Sequence, residues 1–479
     1  MSHIGGVATG HPFTTFIGAE TLKSQGNAFD AAMACAFAAS LSEPLLTSLG
    51  GGGLMLFQHQ RQVGCFDFFT NFPGLNAPNR KVHLTPVTVT FSSSQQDFLV
   101  GADSVAVPGT LKGLLEFHER WGQLPLKKLL KPIIEFARKG VSLNSTQSYV
   151  LGLLEPILQR TETGKRLYFK GNRLLKHGDD FINPEFANFL ENFEENCLSF
   201  YTGLLGDRTL DQFGSEPWLS KTDLESYRPE LRDPLSFLYN ESTLYTVPVP
   251  SHGGHYLKVL FALLEKHNIS QKPWGGIEHL KAIADTLIEL ENGKSSAEFH
   301  PFTKGTTHIS ISDSFDNHVS MSLTNGEGSG VFIPESGIML NNMLGEDDLC
   351  SHDPQYWRPG QRLPSMMAPC LVRRNEAPLL VTGSGGSKRI RSSLLQVISH
   401  ILDFDGNLQD AIQAPRLNWD GEALQLEPGF SEDVVTELKK SYPVNEWPQL
   451  EFYFGGTHSV LEKTAAAGDP RRGGSSWFS

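Results

Sequence analysis

Two short stretches in the second half of the chain alternate strictly between apolar and polar residues. In 307–311 and 319–323 every second position is Ile, Val, Met, Leu or Thr, with Ser or His between them. Residues 313–317, between the two stretches, are typical of a turn. Strict alternation is the pattern of a β-strand whose two faces differ. The pattern predicts a β-hairpin with one apolar and one hydroxyl-rich face, and the simplest interpretation is an ordinary half-exposed hairpin.

The first sixty residues predict two helices followed by a strand. Residues 12–24 carry apolar side chains on one side, and Asn27 or Asp30 is suited to cap a second helix that runs to Leu41. This second helix is small or apolar nearly all round, which indicates burial. The glycine run at 50–53 precedes a short apolar run. Close backbone packing beneath a strand explains these glycines better than a phosphate-binding loop does.

The rest of the first half predicts a mainly helical region. The polar stretch at 289–304 has no period and predicts an exposed loop. The other predicted elements are a helix at 108–121, a helix that ends near 140, a polar helical region at 144–227, a strand at 244–249 and a helix at 256–266.

Composition indicates a large globular chain. Its 479 residues, 39% of them hydrophobic, exceed the size of one ordinary core, so we expect two domains or two closely packed halves. The net charge of −13 disfavours nucleic acid and anionic membrane as partners. The longest apolar stretch, 31–41, is about half a membrane span, and the first residues lack a secretory pattern. We therefore expect a cytoplasmic location and no membrane association.

Cysteine and histidine spacing gives no sign of a metal or a disulfide framework. The five cysteines are widely spread without a CxxC pair, and the sixteen histidines show no HExxH spacing. We expect no metal and no cofactor. A serine-hydrolase elbow is also disfavoured, because the Gly-Ser-Gly at 383–385 sits in a glycine-rich loop.

Short motifs occur in a fixed order along nearly the whole chain, and each alone is weak. The motifs are Gly10-His-Pro, the GNAFDAA segment at 26–32, Glu43-Pro with the glycines at 50–53, Val107-Pro-Gly-Thr, Tyr227-Arg-Pro, the PSHGG turn at 250–254, Gly305-Thr-Thr-His, Glu335-Ser-Gly through Asn342, the TGSGG loop at 382–386, Ala414-Pro-Arg and Gly468-Asp-Pro-Arg. Together they closely resemble the gamma-glutamyltransferase family.

The resemblance implies an α+β fold, the four-layer αββα sandwich of N-terminal-nucleophile hydrolases. It also implies that the chain cuts itself after Gly305, with Thr306 becoming the new N-terminus. The expected products are a large subunit of residues 1–305 and a small subunit of residues 306–479, intertwined in one unit. Thr306 is then the expected nucleophile, acting on a small-molecule amide.

Self-cleavage has a chemical reason. A threonine hydroxyl is a poor nucleophile near neutral pH and needs a base. The freed α-amino group of Thr306, with an ordinary pKa near 8, can be that base within the same residue. An internal threonine has no such amine, so scission creates the catalyst. Gly305 suits the step because glycine tolerates a strained backbone.

The resemblance assigns further catalytic roles residue by residue. Thr324 matches the threonine that hydrogen-bonds the nucleophile. Gly386 and Ser387 match the paired glycines whose N–H groups bind the oxyanion, with serine replacing the second glycine.

Substrate contacts are where the chain departs from the family. Phe69 occupies the position of the arginine that holds the substrate α-carboxylate. The family's paired serines become Ser365 and Met366, and its glutamine falls on Met343. Asn325 and Asp348 are counterparts of the groups that hold the α-amino group, although the local lengths differ by about two residues. These exchanges predict a less polar pocket.

Three functions remain open from the sequence. The first is cleavage or transfer of a γ-glutamyl or similar carboxyacyl group, which Asn325 and Asp348 favour. The second is a glutaryl- or cephalosporin-type acylase of the same family, favoured by Phe69 in place of arginine. The third is an uncleaved, non-enzymatic scaffold, which altered substrate contacts would suit.

Overall fold

A computed structural model describes residues 4–76, 82–90, 95–214, 217–293, 305–346, 349 and 354–479. Its α-helices, in chain order, are α1 Pro12–Lys23, α2 Ala28–Ser42, α3 Thr110–Trp121, α4 Leu126–Lys139, α5 Ser145–Leu158, α6 Glu162–Tyr168, α7 Pro184–Glu191, α8 Phe193–Thr202, α9 Leu204–Leu210, α10 Lys221–Ser226, α11 His252–Glu265, α12 Ile277–Asn292, α13 Arg389–Phe404, α14 Leu408–Gln413 and α15 Glu432–Lys439.

The strands lie between these helices along the chain, singly or in longer runs. They are β1 Gly5–Thr9, β2 Gly52–His59, β3 Gln62–Phe68, β4 Thr85–Thr90, β5 Gln95–Val100, β6 Val141–Ser142, β7 Phe169–Lys170, β8 Arg173–Leu174, β9 Asp180–Phe181, β10 Glu230–Arg232, β11 Leu235–Tyr239, β12 Ser242–Thr246, β13 Thr307–Asp313, β14 His318–Thr324, β15 Phe332–Ile333, β16 Ile338–Met339, β17 Cys370–Arg374, β18 Ala377–Gly385, β19 Leu417–Trp419, β20 Leu424–Leu426, β21 Val444–Glu446, β22 Gly456–Leu461, β23 Ala465–Ala467 and β24 Ser475–Phe478.

Two antiparallel sheets form the centre of the fold. The first has the strand order β10-β3-β2-β14-β13-β1-β24 and the second has β11-β12-β17-β18-β22-β23. They pack face to face, since β13 contacts β18 and β22. Helices α1, α2 and α3 cover the outer face of the first sheet, and α11 and α13 cover the second. The predicted αββα sandwich is therefore confirmed.

Local capping positions the buried helix α2. Asn27 caps it and Asp30 completes a capping box, so both predicted caps act together. The Asp313 carboxylate, at the hairpin turn, accepts a hydrogen bond from the Ala28 N–H at 2.8 Å. Every residue of α2 except Ser40 is buried, and the helix lies against β13 and β14. Burial on all sides explains its lack of a polar face.

The hairpin β13–β14 forms as predicted, but its hydroxyl-rich face is not exposed. Ser310 and Ser320 donate to the backbone carbonyls of His458 and Thr382 in the second sheet, at 2.9 and 2.8 Å. The polar face is buried between the two sheets, so the half-exposed interpretation is wrong. Each of these two hydroxyls keeps a partner there, because an unpaired buried donor costs about 1–3 kcal/mol.

Both sheets combine strands from before and after the predicted cut. In the first sheet β13, β14 and β24 follow residue 305, while β1, β2, β3 and β10 precede it. In the second sheet β11 and β12 precede it and the other four strands follow. Residues 1–305 and residues 306–479 could therefore not be separated without exposing the edges of internal strands.

Several predicted boundaries are wrong. The strand expected at 244–249 runs over Ser242–Thr246, and two helices are longer than predicted. The polar pattern predicts a loop over 289–304, but α12 continues through Asn292; residues 294–304 lie outside the described part of the chain. The helix expected at 256–266 begins earlier, at His252, directly after the PSHGG turn. In both cases the helix extends beyond its apolar pattern; in α11 it does so in spite of the low helical propensity of Gly253 and Gly254.

Candidate active site

The predicted nucleophile Thr306 lies at the start of β13, next to the end of β14. Its side chain is buried, and its hydroxyl donates to the Gly305 carbonyl oxygen at 2.8 Å. The Thr324 hydroxyl donates to the same oxygen. Thr324 is oriented in turn by the Gly326 N–H, which donates to its Oγ1 at 3.1 Å. Two hydroxyls therefore converge on the carbonyl at the predicted cut.

Gly305 is enclosed by backbone. A Cβ at this position would lie under 3.0 Å from the carbonyl oxygens of Gly326 and Leu45. Only glycine allows the chain to pass this close to both. Gly326 itself has a φ of +62°, and a Cβ there would meet the side chains of Asn342 and Glu346.

A buried carboxyl group lies directly behind the nucleophile. Glu43 accepts a hydrogen bond from the Thr307 hydroxyl at 2.8 Å. Burial raises the pKa of Glu43 to about 7, against the opposing effects of Thr307 and Arg472. The Arg472 guanidinium donates to the Thr306 carbonyl at 3.4 Å, and burial lowers its pKa to about 9. Sequence reasoning cited Glu43 only as part of a motif and gave it no chemical role.

The glycine-rich loop after β18 approaches Thr306 from the second sheet. A Cβ on Gly385 would overlap the Thr306 carbonyl oxygen. Gly386 has a φ of +125° and Ser387 a φ of +52°, so both residues adopt the left-handed region. They immediately precede the buried helix α13. The N-terminus of α13 therefore points its partial positive charge toward the same region as the threonine hydroxyls.

A pocket opens between the two threonines and the glycine-rich loop. The pocket has a volume of about 330 Å³, including the part that is open to solvent. It contains seven of the residues predicted for catalysis or substrate binding. Its lining residues are Phe69, Thr306, Thr324, Met343, Glu346, Leu349, Ser365, Met366, Met367, Ser387 and Ile390.

The PSHGG turn holds one side of the pocket. The Ser251 hydroxyl lies 3.0 Å from the carbonyl oxygens of both Ser365 and Met367, and the His252 N–H donates to the Ser365 carbonyl at 2.7 Å. A Cβ on Gly253 would overlap the Met366 and Met367 carbonyls. This motif therefore fixes the segment that carries Ser365 and Met366.

One predicted substrate contact, Asn325, is not among the described lining residues of the pocket. Asn325 is fully buried, and its amide nitrogen lies 3.4 and 3.5 Å from the carbonyl oxygens of Met339 and Leu340. It holds a neighbouring turn in this structure and does not line the pocket. Asp348 lies outside the described residues.

Sequence reasoning missed four lining residues: Glu346, Leu349, Met367 and Ile390. Glu346 and Leu349 lie in the segment whose length differs from the family pattern. Met367 follows the predicted Met366, and Ile390 lies in the first turn of the helix after Ser387. Their proximity to predicted residues was the only available signal.

Phe69 forms part of the wall, directly after the end of β3. It is 1% exposed, and its carbonyl accepts hydrogen bonds from the Tyr227 hydroxyl at 2.8 Å and from Arg362 at 2.6 Å. The Tyr-Arg-Pro motif therefore fixes the backbone of Phe69. Its ring position is determined from behind by backbone contacts.

The Ala414-Pro-Arg and Gly468-Asp-Pro-Arg motifs form a buried ionic network. Arg471 pairs with Glu427 at 2.5 Å and Arg416 pairs with Asp469 at 2.6 Å. Asp469 also accepts a hydrogen bond from the Thr457 N–H on β22 at 2.9 Å. Removing one partner would leave an uncompensated buried charge. These motifs support the loop that carries Arg472.

The histidines near the site are not suited to act as bases. Burial lowers the pKa of His308 well below its ordinary value and lowers that of His458 to about 4. His308 lies between the hydroxyls of Ser322 and Ser310, at 2.8 and 3.0 Å. Among the described residues, no group of three His, Cys, Asp or Glu side chains is arranged to hold a metal ion. No helix of the described chain has the length and apolarity to cross a membrane.

Known proteins similar to this chain fall into one family. The family model described as gamma-glutamyltranspeptidase matches residues 14–292 and 280–478. A glutathione hydrolase proenzyme of Bacillus subtilis is 27% identical, covering 91% of this chain and 84% of its own. An acylase ACY 1 proenzyme of a Pseudomonas species is 30% identical, covering 91% and 86% respectively.

A solved structure agrees at the level of the fold. The crystal structure of cephalosporin acylase from Bacillus halodurans superimposes with a TM-score of 0.81 at 23% identity, covering 99% of this chain and 96% of that one. With a family model that spans nearly the whole sequence, this chain belongs to the gamma-glutamyltranspeptidase family.

Proposed function

We propose that the chain cuts itself between Gly305 and Thr306, and that the freed Thr306 is the nucleophile of an amidase or acyltransferase. The observation that carries this proposal is the convergence of the Thr306 and Thr324 hydroxyls on the Gly305 carbonyl oxygen. Two donors on one carbonyl polarise it and support the negative charge that develops when it is attacked. The products are a large subunit of residues 1–305 and a small subunit of residues 306–479.

The self-cleavage step conserves atoms without a cofactor. Thr306 Oγ1 adds to the Gly305 carbonyl carbon, and the C–N bond to Thr306 then breaks. The nitrogen becomes a free α-amine, while Gly305 is held as an ester on the threonine oxygen. Water hydrolyses that ester, leaving a carboxylate on Gly305 and a free hydroxyl on Thr306.

Turnover repeats the same chemistry on an external amide. The Thr306 α-amine takes the proton from Oγ1, which attacks the amide carbonyl. The N–H groups of Gly386 and Ser387, at the N-terminus of α13, are placed to stabilise the oxyanion. The leaving amine departs with the proton, and an acyl ester remains on Thr306. Water or a second amine then removes the acyl group, giving hydrolysis or transfer.

The relatives suggest which amides to assay first. Their names, glutathione hydrolase and acylase, point to a γ-glutamyl or similar carboxyacyl amide, with a glutaryl or cephalosporin side chain as the second candidate. A non-enzymatic scaffold would need Thr306 to remain internal. The Thr306 and Thr324 hydroxyls on the Gly305 carbonyl argue against an uncut chain, because a scaffold does not need donors at this carbonyl.

Intact-mass spectrometry of the purified protein tests the proposal directly. We expect two fragments that break at Gly305–Thr306, and one uncut chain for Thr306→Ala. Thr306→Ser is the matched control, because it keeps the hydroxyl and should still cut. A single uncut chain in the wild type would overturn the proposal and favour the non-enzymatic scaffold.

A further inference from the structure

The pocket beside Thr306 has an apolar wall. Six of its described lining residues are apolar: Phe69, Met343, Leu349, Met366, Met367 and Ile390. Burying an apolar side chain or ligand group against such a surface contributes about 25 cal/mol per Å². The methionines are unbranched and adaptable, which suits a wall that packs against a flexible chain.

The described lining of the pocket contains no Lys or Arg. Glu346, which is 3% exposed, is the acidic residue of that lining. A carboxylate entering the pocket would lose its hydration, and none of the described lining residues would supply a cation to pair with it.

The arginine that holds the Phe69 backbone is already engaged within the protein. Arg362 donates to the carbonyl oxygen of Phe69 and the side chain of Asn71, at 2.6 and 2.7 Å. Its Nε lies 3.0 Å from the Asp67 carboxylate, and its Nη2 donates to the Arg228 carbonyl at 2.9 Å. Both terminal nitrogens therefore donate hydrogen bonds within the protein, and Nε lies within ion-pair distance of Asp67. Arg362 is not among the described lining residues, and its bond to the Phe69 carbonyl holds the wall in place. The guanidinium therefore does not present a charge to a ligand.

We infer that the acyl group which Thr306 accepts ends in an apolar chain or ring in preference to a carboxylate. The inference rests on the proposed function, because it assigns the acyl part of the same amide. The preferred substrate class is a short aliphatic or aryl-alkyl amide. Carboxyacyl amides react through the same ester but bind the pocket less well.

Three anilides that differ at one end of the acyl group test the inference. Pentanoyl, glutaryl and γ-glutamyl 4-nitroanilide are compared on the self-cleaved protein by their kcat/KM. Pentanoyl and glutaryl share a five-carbon chain and differ by a methyl group in place of the carboxylate. We expect pentanoyl to exceed glutaryl by about 100-fold, since an unpaired buried charge is strongly unfavourable. Glutaryl or γ-glutamyl turnover equal to or above pentanoyl would overturn the inference.

A charge-introducing variant makes the test specific to the wall. Met366 is half-buried at the pocket, so a longer polar side chain can be accommodated there. We expect Met366→Lys to shift the glutaryl-to-pentanoyl ratio toward glutaryl by about 10-fold or more, because it supplies a cation. Met366→Gln has a similar length without charge and should shift that ratio by less than about threefold. Equal shifts in both variants would contradict the inference.

Failure of the underlying reaction gives a different result. The small subunit, within the self-cleaved protein, is treated with the 4-nitrophenyl esters of pentanoic and glutaric acid, and its mass is measured. Labelling of Thr306 by the glutaryl ester alone overturns the preference while leaving the nucleophile intact. Absence of labelling and of anilide cleavage in a self-cleaved protein overturns the proposed turnover, and the substrate class with it.

Discussion

Two sides of one pocket differ in how they relate to the family. At the nucleophile end, the hydroxyls of Thr306 and Thr324 donate to the Gly305 carbonyl oxygen. The left-handed turn at Gly386 and Ser387 leads into helix α13, and Ser387 and Ile390 line the same pocket. The opposite wall, formed by Phe69, Met343 and Met366 with their apolar neighbours, has lost the polar groups that the resemblance implied. We therefore propose that separate sets of residues specify the reaction and the substrate.

The physical demands on the two sides explain the difference. At the nucleophile end a shift of about 1 Å in a donor can cost about 100-fold in rate, so most substitutions would abolish the chemistry. The pocket wall need only complement a ligand, and apolar side chains can replace one another with modest cost. The comparison predicts that variants on one side affect scission, and variants on the other affect selectivity.

The largest expected effect is at Thr324. Thr324→Val keeps the shape and removes the hydroxyl that donates to the Gly305 carbonyl. We expect scission to slow by about 100-fold or more, the usual cost of removing one such donor. A time course of intact mass measures it. Thr324→Ser retains the hydroxyl and serves as the control; equal rates for the Val variant and wild type would remove Thr324 from the nucleophile end.

The pH dependence of stability tests the buried carboxyl group behind Thr306. The pKa of Glu43 is raised to about 7 in the folded chain from an ordinary value of 4.5. The neutral form therefore contributes full stability below about pH 4.5, and this contribution is lost as pH rises to about 7. Glu43→Gln has no carboxyl group to ionise, so it does not lose this stability as the pH rises. The free energy of unfolding of the variant minus that of the wild type should therefore increase by roughly 2–3 kcal/mol between about pH 4.5 and about pH 8.

Urea unfolding of the Thr306→Ala variant, with and without Glu43→Gln, measures this difference in unfolding free energy. Because Thr306→Ala is expected to stay uncut, scission does not interfere with the comparison of the two proteins. A difference that does not change across this pH range would show that the Glu43 carboxyl does not change its ionisation on folding.

A smaller effect is expected from crowding at the cut. Gly305→Ala adds a Cβ under 3.0 Å from the carbonyl oxygens of Gly326 and Leu45. Overpacking of about 1–3 kcal/mol should displace the scissile carbonyl and slow scission by about 10-fold. Gly293→Ala is the control, because its Cβ meets nothing closer than 3.5 Å. Intact mass over time would show both; matching scission rates for the Gly305→Ala variant and wild type would contradict the close fit.

The smallest effect on scission is expected from the pocket wall. Phe69→Leu keeps an apolar side chain and removes neither of the hydroxyls that donate to the Gly305 carbonyl, so it should leave the scission rate within about twofold. The kcat/KM ratio between phenylacetyl and pentanoyl 4-nitroanilide should nevertheless change by about fivefold, since the shape of the pocket changes when a ring is replaced. A variant that stops cutting itself would show that the two sides are not independent.

Local patterns predicted much of the fold correctly. The capping box of Asn27 and Asp30 and the alternation in 307–311 depend on neighbours in sequence, and both formed as predicted. The glycine run at 50–53 also packs as expected: a Cβ on Gly51 would overlap the Thr324 carbonyl. Such features are short-range, so a single sequence contains the information needed to identify them.

The site could be predicted only in part. Seven predicted residues line one pocket. They could be identified because the motifs occur in the same order as in the family that the chain resembles. Asn325 was misplaced: its side chain contacts a neighbouring turn, in a region where the local length differs from the family pattern by about two residues. Glu346 and Leu349 were missed for the same reason, since no local pattern reports where an altered loop returns to the pocket.

The sequence by itself determined the elements, their order and the identity of the threonine at the predicted cut. Only the tertiary structure decided what covers each face: the hydroxyl side of the hairpin is buried between two sheets, and Arg362 is sequestered behind Phe69. The physical reason is that alternation fixes which side chains share a face, whereas burial and charge pairing depend on residues far away in the sequence.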